Sequence, residues 1–104
     1  MKVLITTDDL KCDYFDRTNC PLATAMKREL QYPKESNDLQ VSGTSANDTR
    51  GYIIINGTRR YSYDSRIWNQ EVCFAIQNTP QQFYLEVTPF TDINPLENGY
   101  INKR

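Results

Sequence analysis

The sequence of 104 residues contains no histidine, and this absence removes several chemistries at once. Ser-His-Asp and Cys-His catalytic groups, histidine-ligated metals and an imidazole pH switch are all excluded. The chain has only four glycines and neither of the glycine-rich motifs that hold nucleotide phosphates in P-loop and dinucleotide-binding folds. We therefore expect no cofactor and no bound metal.

The sequence also lacks a long apolar run and an excess of one charge sign. No run approaches the roughly 18 residues that a membrane-spanning helix needs, and the apolar N-terminal stretch is too short for a signal peptide. The formal net charge is -1, so nonspecific electrostatic binding of nucleic acid is not expected. The three cysteines match no zinc-binding spacing and are odd in number, which predicts reduced thiols in a cytoplasmic protein.

The residues that are present suit one small globular unit. Hydrophobic residues make up 38% of the chain and aromatic residues 12%, which is enough for one modest core and argues against disorder. We expect a single domain over residues 1–90. The sequence beyond it, residues 91–104, is polar with little periodicity and predicts a loosely held tail.

The first half of the chain predicts a strand, a loop and a helix. Residues 3–6 are rich in β-forming types, and residues 8–18 predict a loop with at most one helical turn. Pro21 favours the first position of a helix, with Asn19 or Cys20 as its cap. Leu22 and Met26 begin an apolar stripe, with Lys27, Arg28 and Glu29 on other faces, and Pro33 ends the helix near residue 31.

The second half predicts a hairpin, a second helix and a last strand. Residues 39–44 and 51–55 read as strands, and Asn56-Gly57 is the strongest short-range hairpin signal, with residues 58–63 as the returning strand. Asp64 caps a helix in which Trp68 heads a buried stripe that Ile67 and Cys73 widen. Residues 83–87 form the last strand, which Pro89 closes.

These elements predict an α+β, two-layer domain. The sheet is mostly antiparallel with four to five strands, and the two amphipathic helices lie on one face. The element order is β-α-β-β-β-α-β. If residues 58–63 are not a strand, the order becomes β-α-β-β-α-β, which is the ferredoxin-like arrangement, and the sequence leaves this choice open.

The best candidate for a binding surface is the stretch around the hairpin. Four arginines and one acid lie between Arg50 and Trp68, a local excess of positive charge in a chain of net charge -1. Arginine beside aromatic residues binds phosphates and also forms the hot spots of protein interfaces. The predicted contact residues are Arg59, Arg60, Tyr61, Tyr63 and Arg66.

Strand alternation divides these contact residues between two faces. Arg59, Tyr61 and Tyr63 should share a face that packs inward, while Arg60 points outward. Arg66, in the first turn of the following helix, should lie beside Arg60 and complete a paired fork for carboxylate or phosphate.

Cys20 is a second candidate, for catalysis. At a helix N-terminus a thiol pKa is lowered, and the resulting thiolate is a nucleophile. However, no histidine is available as a base. The preferred interpretation is a small buried residue that caps the helix, and the alternative is a cysteine-dependent enzyme.

The segment Asn19-Cys20-Pro21-Leu22-Ala23-Thr24-Ala25-Met26 resembles a group of small phage-encoded proteins that share a Cys-Pro-hydrophobic-Ala-x-Ala helix start. The group has no settled activity, so the resemblance implies a phage origin and no catalytic residue. Together with the composition it indicates a non-enzymatic binding or inhibitor protein. Such a protein would occupy a host defence macromolecule or sequester a small anionic, nucleotide-like ligand. The alternatives are an enzyme built on Cys20 and a single-stranded nucleic-acid binder.

Overall fold

The computed structural model describes residues 1–42, 49–77 and 81–91, which form an α+β domain. Along the chain these residues form β1 (Lys2–Ile5), a 3-10 turn (Asp9–Lys11), α1 (Pro21–Glu29), β2 (Leu39–Ser42), β3 (Arg50–Ile55), β4 (Thr58–Asp64), α2 (Ser65–Gln77), β5 (Phe83–Glu86) and β6 (Thr88–Pro89). The predicted fold class is confirmed. Of the two predicted orders, the structure has the one with an extra strand, because β4 is a full strand of seven residues. The short strand β6 was not predicted.

The strands divide between two antiparallel sheets, whereas the sequence pattern predicted a single sheet. β1 pairs with β5 in a two-stranded sheet, and the other four lie in the order β2-β3-β4-β6. Helix α1 packs against β1 and β2, and α2 packs against β3, β4 and β5. Each helix therefore contacts both sheets, and the helices form the layer that holds the sheets together.

Helix α1 begins and ends as its flanking residues dictate. Cys20 is the N-cap, and Pro21 occupies the first helical position. The helix ends two residues earlier than predicted, because Gln31 adopts a left-handed conformation with φ of +62°. The Tyr32 N–H donates to the Lys27 carbonyl at 2.7 Å, which closes the helix end in the manner of a Schellman motif.

The hairpin between β3 and β4 confirms the Asn-Gly prediction. Asn56 and Gly57 have φ of +52° and +83°, and a type I′ turn requires positive φ at both central residues. The turn joins Ile55 directly to Thr58, and these two residues are register partners. The local sequence therefore determines where the chain reverses.

Helix α2 begins at the predicted cap, but its buried face is narrower than expected. The Asp64 carboxylate accepts from the Arg66 N–H at 2.9 Å, as an N-cap does. Trp68 is half-buried and packs at the edge of the core, so the prediction of a core tryptophan holds only in part. Ile67 is 49% exposed and Cys73 is also exposed, so neither widens the buried stripe as predicted.

The core lies between the helices and the inner faces of the two sheets. Its largest fully buried side chains are Val3, Ile5, Leu22, Met26, Leu39, Ile53, Leu85 and Val87, together with Pro21. Lys27 is also buried, with 2% of its surface accessible, although its position in the helix predicted a polar face. The end of the predicted strand 39–44 and the predicted tail from residue 92 onward lie outside the described residues. Within the described ranges, no helix is long and apolar enough to cross a membrane.

Candidate functional site

A β-bulge in the hairpin decides where the predicted arginines lie. Tyr61 pairs with Ile53, and Arg59 pairs with Ile54. Ile53 and Ile54 are adjacent in β3, whereas Arg60 lies between their partners in β4, so Arg60 is the extra residue of the bulge. A bulge of this kind reverses the alternation of side chains on one side of it. Arg59 therefore shares a face with Ile54, and Tyr61 shares the opposite face with Ile53. The prediction that Arg59, Tyr61 and Tyr63 share one face is wrong.

We call the side of the four-stranded sheet that faces away from the core the outer face. By strand register it carries Tyr52, Ile54, Arg59 and Ser62, with Phe90 beside them. All five of these residues are half-buried, whereas Gly51, Ile53 and Ile55 on the inner side of β3 are buried.

Arg59 is held on the outer face by two aromatic rings. Its guanidinium carbon lies 4.9 Å from the ring centroid of Tyr52 and 5.4 Å from that of Phe90. The two rings themselves meet edge to face, with centroids 5.1 Å apart. Cation–π contacts on both sides restrict the guanidinium to one region of the surface. The result is an ordered positive charge with aromatic surface around it.

Arg60 and Arg66 do not form the free pair of guanidinium groups that was predicted. Arg60 is exposed, as expected, and its carbonyl accepts from the Phe90 N–H at 2.9 Å. The Arg66 guanidinium lies 3.3 Å from the Asp64 carboxylate, although its side chain is 73% exposed. The hydrogen bond from Arg66 also lowers the pKa of Asp64. Arg66 is thus already partnered by a carboxylate of its own chain.

The two tyrosines of the predicted site face the core. Tyr63 is 7% exposed, and Tyr61 is half-buried and packs against the core residues. Burial raises the pKa of Tyr63 to about 12. Its ring crosses directly over Gly51, where any β-carbon would overlap the ring. These two residues stabilise the fold. The predicted site residues that lie at the surface are Arg60 and Arg66, which are exposed, and Arg59, which is half-buried.

Cys20 acts as a helix cap, in agreement with the preferred interpretation. Its side chain is buried, and its Sγ accepts from the Ala23 N–H at 3.4 Å. Burial raises the pKa of the thiol, and this effect outweighs the N–H groups of the helix start. A thiolate nucleophile at this position is therefore disfavoured at neutral pH.

Tyr52 and Phe90 were not among the predicted site residues. Tyr52 lies in a predicted strand without a predicted role, and Phe90 is the last residue of the predicted domain, after the last predicted strand. Their contact depends on β6, which pairs Pro89 with Tyr61 and thereby brings Phe90 across β4. The signal in the sequence was the aromatic residue directly after the last β-rich run, but no local pattern links it to Tyr52.

Comparisons with protein-family models, with curated proteins and with solved structures found no match to this chain. Within residues 1–42, 49–77 and 81–91, no group of three or more cysteines, aspartates and glutamates is placed to hold a metal ion.

Proposed function

We propose that the protein is a non-enzymatic binding protein that docks onto an acidic protein surface with its outer face. The observation that carries this proposal is the Arg59 guanidinium between Tyr52 and Phe90. Arginine and aromatic residues that are ordered before binding lose little conformational entropy when a partner arrives. They are also the residue types that dominate the energetics of protein interfaces.

The charge distribution supports an acidic partner. Arg60 adds an exposed positive charge next to the half-buried Arg59, and Arg50 on the adjacent strand β3 is also exposed. A local positive region on a chain of net charge -1 favours a specific acidic patch over any polyanion. This also ranks the proposal above the alternative of single-stranded nucleic-acid binding, which requires a longer positive track.

The proposal extends to a phage origin and an inhibitory role. The Cys-Pro helix start of residues 19–26 supports the origin, and a phage protein of this size would act by occupying a host protein. An enzyme built on Cys20 ranks below this proposal because that thiol is buried and its pKa is raised.

Site-directed photocrosslinking tests the docking face. A photoreactive amino acid replaces Ser62, which lies on the outer face, or Tyr84, which is 63% exposed on the other sheet. Both proteins are irradiated in extracts of cells that express the gene. We expect one discrete protein adduct from position 62 and none of that mass from position 84.

Charge reversal supplies the matched control. Arg59→Glu with Arg60→Glu should abolish the adduct, whereas Lys2→Glu with Lys11→Glu makes the same change in net charge elsewhere and should retain it. The adduct should also weaken as salt is raised, since exposed charges are screened beyond about 8–10 Å. If both double variants retain the adduct, the outer face is not the docking surface. If instead a single-stranded oligonucleotide binds tightly and only the arginine variant loses it, the nucleic-acid alternative replaces the proposal.

A further inference from the structure

A cavity of about 350 Å³ lies beside α1, on a different part of the molecule from the outer face. The wall combines helix residues with the loops on either side of the helix. It includes Cys12, Thr24, Lys27, Arg28, Tyr32 and Lys34, with the carboxylates of Asp8 and Asp9. A volume of this size is at the small end of the range for small-molecule sites.

Lys27 is the unusual member of this wall. It is 2% exposed, yet its two hydrogen-bond partners are neutral oxygens: the Asn19 side-chain carbonyl at 3.4 Å and the Lys34 backbone carbonyl at 3.0 Å. An ammonium group has three N–H donors, so one donor of Lys27 has no partner among the described residues. A buried charge without a counter-ion is costly, and an anion that reaches it is correspondingly favoured.

The other charges of the cavity do not neutralise Lys27. Asp9 is held by Arg28 through two hydrogen bonds of 3.0 and 2.8 Å, so these two residues cancel each other. The Asp8 carboxylate lies 3.4 Å from Lys11 at the surface. Lys27 and the exposed Lys34 are the charges that remain, and both are positive.

We propose that this cavity binds the phosphate group of a small phosphate ester. Lysine recognises phosphate as a compact point charge, and a phosphate has enough oxygens to accept from two ammonium groups and a hydroxyl together. The Thr24 hydroxyl donates to the Asn19 backbone carbonyl at 3.4 Å, and rotation about its C–O bond turns this donor to the phosphate. Cys12 and Tyr32 also line the wall and are suited to the uncharged part of the ester. This site is independent of the outer face and of its proposed protein partner.

The test uses three probes on the full chain: inorganic phosphate, adenosine 5′-monophosphate and adenosine. Each is titrated into isotopically labelled protein while amide resonances are followed by NMR. We expect saturable shifts at Thr24, Arg28 and Tyr32 with the two phosphate-bearing probes, and none there with adenosine. Binding of adenosine alone at these residues would show that the cavity recognises the base and would overturn the proposal.

The variants separate a ligand site from a structural lysine. Lys27→Met keeps the aliphatic stem and should weaken binding of both phosphate-bearing probes by roughly tenfold or more. Lys2→Met is the control, because Lys2 is exposed on β1 and does not line the cavity. Equal binding by wild type and Lys27→Met would overturn the proposal.

A second pair of variants applies if Lys27→Met does not fold. Lys34→Met and Thr24→Val each remove one proposed phosphate contact and leave the buried ammonium in place. Each should weaken phosphate binding by a few fold, and together they should weaken it further. Unchanged affinity in the double variant would show that the anion binds elsewhere.

Discussion

Both terminal nitrogens of Arg28 on α1 donate hydrogen bonds to the carboxylate of Asp9, at 3.0 and 2.8 Å. Arg28 donates a third hydrogen bond to the Leu4 carbonyl at 2.8 Å. Asp9 is 3% exposed, and its second partner is Thr6, whose N–H donates to the carboxylate at 2.9 Å. These contacts connect β1, the 3-10 turn and α1 in one network. The loop after β1 therefore has a fixed position despite its polar sequence.

Removing Arg28 should destabilise the protein far more than removing an exposed cation. Arg28→Met leaves the buried Asp9 carboxylate without its main partner, and we expect a loss of about 2–3 kcal/mol in the free energy of unfolding. Lys11→Met, which removes only an exposed ion pair with Asp8, should cost less than about 0.5 kcal/mol. Denaturant unfolding monitored by circular dichroism measures both, and similar values for the two variants would contradict this role of Arg28.

Asp9 should make the protein sensitive to acid. Burial alone would raise the pKa of Asp9, but the hydrogen bonds from Arg28 and Thr6 outweigh it and hold the pKa below the usual 3.8. A folded-state pKa below the unfolded one gives stability that is present above the unfolded pKa and is lost as pH falls through the folded pKa. The stability difference between wild type and Asp9→Asn should therefore shrink below about pH 4. If the stability difference between the two proteins grew as the pH fell, the pKa of Asp9 would not be lowered in the folded state.

The contact between Gly51 and Tyr63 should show strong coupling. A β-carbon on residue 51 overlaps the Tyr63 ring, so Gly51→Ala forces the ring to move and should cost about 1–3 kcal/mol. Tyr63→Leu removes the ring and costs stability for a different reason, the loss of buried surface. The double variant should be more stable than the sum of the two losses implies. Simple additivity in a double-mutant cycle would mean that the ring does not obstruct residue 51.

Trp68 should contribute to stability as a half-buried residue. Its ring centroid lies 6.0 Å from that of Phe83, which links α2 to β5. We expect Trp68→Ala to cost about 2–4 kcal/mol, and Ile67→Ala, at a neighbouring position that is 49% exposed, to cost under about 1 kcal/mol. Thermal unfolding checks both values. A loss below about 1 kcal/mol for Trp68→Ala would place the tryptophan at the surface.

The three thiols should react in the order of their exposure. Cys73 is exposed, Cys12 is intermediate and Cys20 is buried with a raised pKa. Titration of the native protein with a thiol-reactive disulfide should show a fast phase that Cys73→Ser removes, and Cys20 should react only as the protein unfolds. Fast reaction of Cys20 in the native state would support the alternative of an enzyme built on Cys20.

Much of this fold follows from the conformational preferences of a few residues, which can be recognised in the sequence. Asn56 and Gly57 accept the positive φ of a tight hairpin, Pro21 starts a helix, and Asp64 caps one, whatever the rest of the chain does. Each of these features depends on a few neighbouring residues, so the order of the two helices and of the first five strands could be predicted, whereas β6 could not. The candidate surface could be predicted in part for the same reason, since Arg59 and Arg60 stand next to each other in sequence.

The tertiary structure decided the features that depend on residues far apart in the chain. The division into two sheets depends on β1 pairing with β5, and the place of Arg59 depends on the bulge and on Phe90. Lys27 is buried because the loops before and after α1 supply oxygens to its ammonium, which no helical pattern predicts. The sequence alone determined the local conformations, and long-range packing, which sums many weak contacts between distant segments, determined which of their side chains meet.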